Sequence, residues 1–169
     1  MAQNISFFAL NAKTYGDAPF IVSATASSSL PVALSIVSGP ASISGSLITI
    51  TGAGTVTVRA SQTGNDSYEP APNVDQSFVV GKGNQTINFV TLPGKTYGDA
   101  PFAISASASS GLPVSFIVMS GPANISANTI TITGAGSVIV RASQAGNANY
   151  HPAPNVDQTF TVGKKSQVV

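Results

Sequence analysis

Short stretches in which apolar and polar residues alternate recur along the whole chain, and no window of about 11 residues shows the three-and-four spacing of a helix face. Residues 47–51 and 55–60 both alternate with period two. The first pattern predicts burial of Ile48 and Ile50, the second burial of Val56, Val58 and Ala60. Gly52-Ala53-Gly54 between them reads as the short loop of a hairpin. Residues 74–80 place Val74, Phe78 and Val80 on one side, and residues 32–37 read as a central strand closed by the turn Ser38-Gly39-Pro40. Residues 5–8 and 20–22 supply two more strands, and a short one near residues 41–44 brings the total to about seven. Seven short strands with regular turn signals over about 80 residues predict an immunoglobulin-like β-sandwich, with a closed barrel as the structural alternative.

The same pattern is then written a second time. KTYGDAPF at residues 13–20 returns at residues 95–102, 82 positions later. The same offset links Ser38-Gly39-Pro40 to Ser120-Gly121-Pro122 and Gly52-Ala53-Gly54 to Gly134-Ala135-Gly136. Without a gap, residues 3–82 and 85–164 give 80 pairs, of which 53 are identical. The expected organisation is one sandwich over residues 1–82 and a second over 83–164. Residues 163–169 align with residues 81–87, so residues 165–169 are read as the start of a third copy, in a natural chain expected to continue. Only residues 81–86 separate the last strand of one copy from the first of the next. A joint this short predicts some bending and little independent tumbling, hence a semi-stiff rod. Leu34 becomes Phe116, Ile36 becomes Val118 and Val37 becomes Met119, apolar exchanges that a core absorbs. Glu69 becomes His151 and Asp66 becomes Ala148, so those polar positions are free to change.

Composition narrows the function classes. Only 8% of residues are charged, against roughly 25% in an average soluble protein. Polarity must come from Ser, Thr, Asn and Gln. Seven scattered basic residues and a net charge of +1 give no phosphate-binding cluster, so no nucleic-acid partner is expected. No apolar run approaches the length of about 18 that a membrane span needs. Met1-Ala2-Gln3 opens no signal peptide, which says little of an excised fragment. With no Cys there are no disulfides, thiolate metal sites or cysteine nucleophiles, and each unit must be held by packing.

Residues 85–102 (QTINFVTLPGKTYGDAPF) and 141–150 (RASQAGNANY) resemble a family of bacterial immunoglobulin-like tandem repeats, sometimes labelled MBG-type, found in very long secreted or surface-anchored proteins. The resemblance covers both copies nearly end to end and is carried by KTYGDAPF, the Gly-Ala-Gly link and the Gly-Asn-x-x-Tyr motif. It implies a stalk or adhesin-like segment and brings no catalytic residue with it.

The candidate sites are few. Ionisable side chains common to both copies are Lys13, Asp17, Tyr15, Arg59, Tyr68, Asp75 and Lys82 with their counterparts, and the one histidine, His151, has no counterpart. Serine without a paired base is no nucleophile, so catalysis is not expected and no catalytic, cofactor-binding or metal residue is assigned. The loop at residues 13–20 reads as structural: Gly16 permits positive φ, Asp17 bonds nearby amides and Pro19 fixes the chain. Gly64-Asn65-Asp66-Ser67-Tyr68 resembles a calcium loop, but the second copy loses the carboxylate at Ala148. Tyr68 is expected to pack at a strand corner with its hydroxyl bonded to backbone. Two further options are calcium at the junction, using Asp17 or Asp75 near Lys82 and Asn84, and an isopeptide bond from Lys13 or Lys82. Single carboxylates make a weak calcium site, and both lysines flank turn-rich, exposed segments. Thr49, Thr51, Thr55 and Thr57 form an outward Thr ladder that suits ice or carbohydrate, although Thr57 becomes Ile139 in the second copy. The glycosylation patterns at Asn4, Asn84 and Asn124 arise by chance in such a composition.

The expected role is therefore a spacer or stalk of a long bacterial surface or secreted protein. It would be monomeric and extracellular, with neighbouring repeats of its own chain as its contacts and any host or surface ligand held by another domain. The alternative is a glycan- or ice-binding module using the Thr face or the end loops.

Overall fold

The computed structural model describes residues 1–167. Residues 168 and 169, the end of the segment read as a third copy, lie outside the described residues. The chain is all-β, with no helix among the described residues, and divides into two compact units, Met1–Gly83 and Asn84–Val169.

In the first unit the elements are β1 (Ile5–Phe7), β2 (Lys13–Thr14), β3 (Phe20–Ile21), β4 (Ala24–Ala26), β5 (Ala33–Ser38), β6 (Ala41–Ser44), β7 (Leu47–Ile50), β8 (Gly54–Gln62) and β9 (Ala71–Gly81). One sheet runs β2-β9-β8-β5; the other runs β3-β7-β6, with β1 paired to β4. β3 and β4 are separated only by Val22 and Ser23, so one interrupted strand serves both pairings. The first strand is interrupted too: β1 pairs antiparallel with β4, after which the chain crosses over and β2 pairs parallel with β9. Nine segments thus make a seven-stranded sandwich with two broken strands. The partition, first-second-fifth-fourth strands against third-sixth-seventh, is that of an immunoglobulin-like domain.

The second unit repeats this arrangement with β10 (Ile87–Phe89), β11 (Lys95–Thr96), β12 (Phe102–Ala103), β13 (Ala106–Ala108), β14 (Ser115–Ser120), β15 (Ala123–Ser126), β16 (Thr129–Ile132), β17 (Gly136–Ser143) and β18 (Val156–Gly163). Its registers match: Ile5 faces Ala26 as Ile87 faces Ala108, and Arg59 faces Asp75 as Arg141 faces Asp157. Each unit has its own core. In the first, Ile48, Val56, Val58 and Ala60 are fully buried, joined by Phe7, Phe78 and Val80. Phe20 meets Phe78 edge to face at 5.5 Å between ring centres, and Phe102 meets Phe160 at 5.7 Å. Of the apolar residues buried in the first unit, only Val22 changes in the second, to Ile104.

One expectation fails. Strands form at both places, β7 with Ile48 buried and Ile50 half-buried and β8 with Val56, Val58 and Ala60 buried, but they are not a hairpin. β7 pairs with β3 and β6, whereas β8 pairs with β5 and β9. Ile48 and Val56 face one core from opposite sheets, and Gly52-Ala53-Gly54 carries the chain across the sandwich. Alternation fixes which side of a strand is buried and leaves its partners open; two strands with strongly apolar faces bury more by facing each other than by lying side by side.

Candidate functional site

The loops at one end of each sandwich are tied by glutamines. Gln3 and Gln62 are buried side chains. The Gln3 amide donates to Gln62 Oε1 (2.8 Å) and to the carbonyl of Glu69 (2.7 Å), while Ser28 Oγ donates to Gln3 Oε1. Gln62 Oε1 also accepts from the main-chain N–H of Gly64, and its amide donates to the carbonyl of Pro31 at 3.4 Å. Gln85 and Gln144 rebuild the network with Ser110, Pro113, Gly146 and the carbonyl of His151. Three chain segments are joined this way: the start of the first strand, the second-to-third strand loop and the sixth-to-seventh strand loop. Among the described residues every buried side-chain nitrogen and oxygen has a partner. Nothing in the sequence reading assigned these glutamines a role. Because it is the carbonyl of residue 69 or 151 that accepts, its exposed side chain is free to be Glu in one copy and His in the other.

The calcium-like loop is folded on itself. Asn65 Oδ1 accepts from the N–H groups of Ser67 (2.9 Å) and Tyr68 (3.0 Å), and Asn147 Oδ1 does the same for Asn149 and Tyr150. Tyr68, half-buried, closes the loop through its main chain, both N–H and C=O bonding Asn65. The expected hydroxyl bond is not what closes it. The oxygen that would have met a cation thus caps amides.

KTYGDAPF begins as β2 and then turns. The Thr14 N–H donates to Asp17 Oδ2 at 2.9 Å, the Asp17 N–H returns to the Thr14 carbonyl, and the Tyr15 N–H reaches the Gly81 carbonyl at 2.8 Å. Lys13 Nζ lies 4.5 Å above the Phe20 ring, as Lys95 Nζ lies 4.4 Å above Phe102. That placement is a cation–π contact at a sheet edge.

Asp75 stands mid-strand on the outer face of its sheet, with both carboxylate oxygens bonded by Arg59 at 2.8 Å; Arg141 and Asp157 repeat the fork. Asp75 is therefore engaged away from the residues that nominated it as a junction calcium ligand, and Asp17 is spent on Thr14. The hydrogen bonds from Arg59 favour the ionised acid and hold the Asp75 carboxyl below its ordinary range. A depressed carboxylate adds stability above the unfolded-chain value and loses it as pH falls through the lowered one. The pair is solvent-exposed, so Asp75→Asn is expected to leave the melting temperature nearly unchanged at neutral pH. Melts of both proteins at neutral pH and at about pH 3 check the sign: any gap between them narrows in acid.

The Thr ladder does not form one surface. Thr49 lies on β7 and Thr55 and Thr57 on β8, so they point outward from opposite sheets, and Thr57 is bonded to Ser77 Oγ at 2.8 Å. Among the described residues no three His, Asp or Glu side chains converge.

No family model and no curated protein matches the chain. Solved structures do. Drosophila N-cadherin EC1-4 aligns at 15% identity over 96% of this chain and 48% of its own, with a TM-score of 0.36. Mouse protocadherin-24 EC1-3 aligns at 14% over 96% and 71%, with a TM-score of 0.39. The D00-D0 domain of intimin aligns at 16% over 92% and 98%, with a TM-score of 0.30. The chain spans about half of the N-cadherin fragment it matches. The fold assignment rests on strand order and register.

Proposed function

We propose that the two units are spacer repeats of a long bacterial surface or secreted adhesin-like protein, extending a binding tip borne by another part of it. The observation that carries this reading is where the copies agree. The buried apolar set is kept but for Val22 and the glutamine ties recur, while outward strand positions such as Ser6, Thr25, Ser42 and Thr55 become Asn88, Ser107, Asn124 and Ser137; the exposed run kept at residues 14–19 is the turn that Thr14 and Asp17 hold by their mutual hydrogen bonds. What is retained is what builds a self-contained unit. A surface kept for a ligand in every copy would instead hold its outward residues, and the divided threonines favour no such face. The mechanism is geometric: each added sandwich lengthens the chain by one unit, and a short joint limits collapse. Few charges and no cysteine leave the units insensitive to salt and redox state, which suits an extracellular setting.

Small-angle scattering on chains of two and four units tests this. The maximum dimension is expected to nearly double. A dimension that rises only as for a compact particle overturns the spacer reading.

A further inference from the structure

Residues 3–7 are fastened to the first unit by contacts that the second unit duplicates. They lie at the rim of their sheet, where β1 pairs with β4 over three residues only. Ile5 and Phe7 enter the core. Gln3 is tied to Gln62, Ser28 and the carbonyl of Glu69, and the Asn4 carbonyl accepts from the Ser27 N–H. Gln76 Nε2 closes the set on the carbonyl of Phe7 at 2.9 Å. Residues 85–89 are held in the second unit by Gln144, Ser110, the carbonyl of His151, the Ser109 N–H and Gln158. Every one of these anchors is either main chain or a side chain identical in both units. The changes, Asn4 to Thr86, Ser6 to Asn88 and Thr25 to Ser107, fall at exposed positions. Residues 9–12, which carry the chain on to β2 in the opposite sheet, make no main-chain hydrogen bond among the described residues. The segment is thus lightly held and loosely hinged. β9, bonded along both sides, has no such freedom.

We propose that the slot for residues 3–7 is an exchange site between chains, filled by the first-strand segment of a second copy in place of its own. The occupant follows from the fit. A segment reading Gln-x-Ile-x-Phe meets every anchor of the slot, and each chain carries two, at residues 3–7 and 85–89. A segment from either unit therefore enters the slot of the first or the second unit of another chain alike. The closed and exchanged forms hold the same hydrogen bonds and bury the same side chains. They differ mainly by the freedom lost when two chains join, so concentration sets the balance. Release breaks the short ladder and exposes Ile5 and Phe7, or Ile87 and Phe89, to water. Exchange is slow for that reason, and an exchanged pair persists after dilution.

Locking the segment in place tests this on the whole chain, which has no cysteine of its own. Ser6 with Thr25, and Asn88 with Ser107, are exposed and directly opposite one another. Such partners stand about 4.5–5.5 Å apart at Cα, a spacing that a disulfide accepts. After incubation at high concentration, warmed short of unfolding, the unaltered chain is expected to yield a two-chain species on gel filtration. A variant with both locks, Ser6→Cys with Thr25→Cys and Asn88→Cys with Ser107→Cys, oxidised while dilute, is expected to stay at one-chain mass. Reduction is expected to restore the two-chain species. A locked chain that still pairs, or an unaltered chain that never does, overturns the proposal. Single variants then locate the exchange. Chains with Ser6→Cys are mixed in glutathione buffer with chains carrying Thr25→Cys, Ser107→Cys or, as a collision control, the exposed Ser42→Cys. Disulfides from position 6 to 25 and to 107 are expected at about tenfold or more the yield to 42. Equal yields to all three overturn the exchange, and a bond to 25 without one to 107 overturns the equivalence of the two slots.

Discussion

Replacing Gly39 with alanine is expected to destabilise the first unit by roughly 3–5 kcal/mol, shifting its melting transition by on the order of 20 °C. Two costs combine. Gly39 has φ of +100°, where an L side chain pays about 1–2 kcal/mol. A Cβ there would also stand 2.2 Å from the carbonyl oxygen of Thr55 and 2.6 Å from Cα of Val56, so the Ser-Gly-Pro turn must lift off β8. Backbone cannot swing aside as a flexible side chain does. Gly121 sits in the same position against Ser137 and Val138. Gly45 supplies the control: φ is +59° with open space around it, and the second copy carries Ala127 there at φ +52°. Gly45→Ala is expected to cost only that conformational term, about 1–2 kcal/mol. Calorimetry on the two variants distinguishes the effects; equal shifts would show that the close approach to β8 does not matter.

Gln62→Leu is expected to cost roughly 2–4 kcal/mol even though the substitution adds an apolar side chain to a buried site. It strands the N–H of Gly64, one amide proton of Gln3 and the carbonyl of Pro31, and a buried donor without a partner costs about 1–3 kcal/mol. Gln3→Leu with Gln62→Leu removes the two glutamine amides together and is expected to be less damaging than the sum of the single changes. Urea unfolding of the two single variants and the pair gives the coupling. Additive losses would mean that the glutamines act independently.

The glutamine network was legible in part. Gln3 precedes Ile5 and Phe7 in step two, and Gln62 continues Val56, Val58 and Ala60 in the same phase, so alternation already turned both inward. What it could not supply was their partners, which lie 59 and 66 positions away along the chain. The same limit explains the misread link after Thr51: buried faces follow from local pattern, sheet membership from which faces meet. β2 escaped notice because two residues, Lys13 and Thr14, carry no alternation, and β4 because Ala24-Thr25-Ala26 presents little apolar surface. The internal repeat was legible, since an offset of 82 is written in the residues themselves. The shared first-strand slot was not. Gln62, Ser28 and Gln76 meet residues 3–7 only after the strands are placed.

The parallel pairing of β2 with β9 bears on how a unit meets tension. The chain runs the same way through both strands, so a pull on the incoming end and an opposite pull on the outgoing end slide one along the other. The hydrogen bonds between them lie across that pull and carry it together instead of opening one at a time from an end. The bond from the Tyr15 N–H to the Gly81 carbonyl adds to this clasp, and Tyr97 with Gly163 repeats it in the second unit. Stretching of a unit is thereby resisted between its own first and last strands.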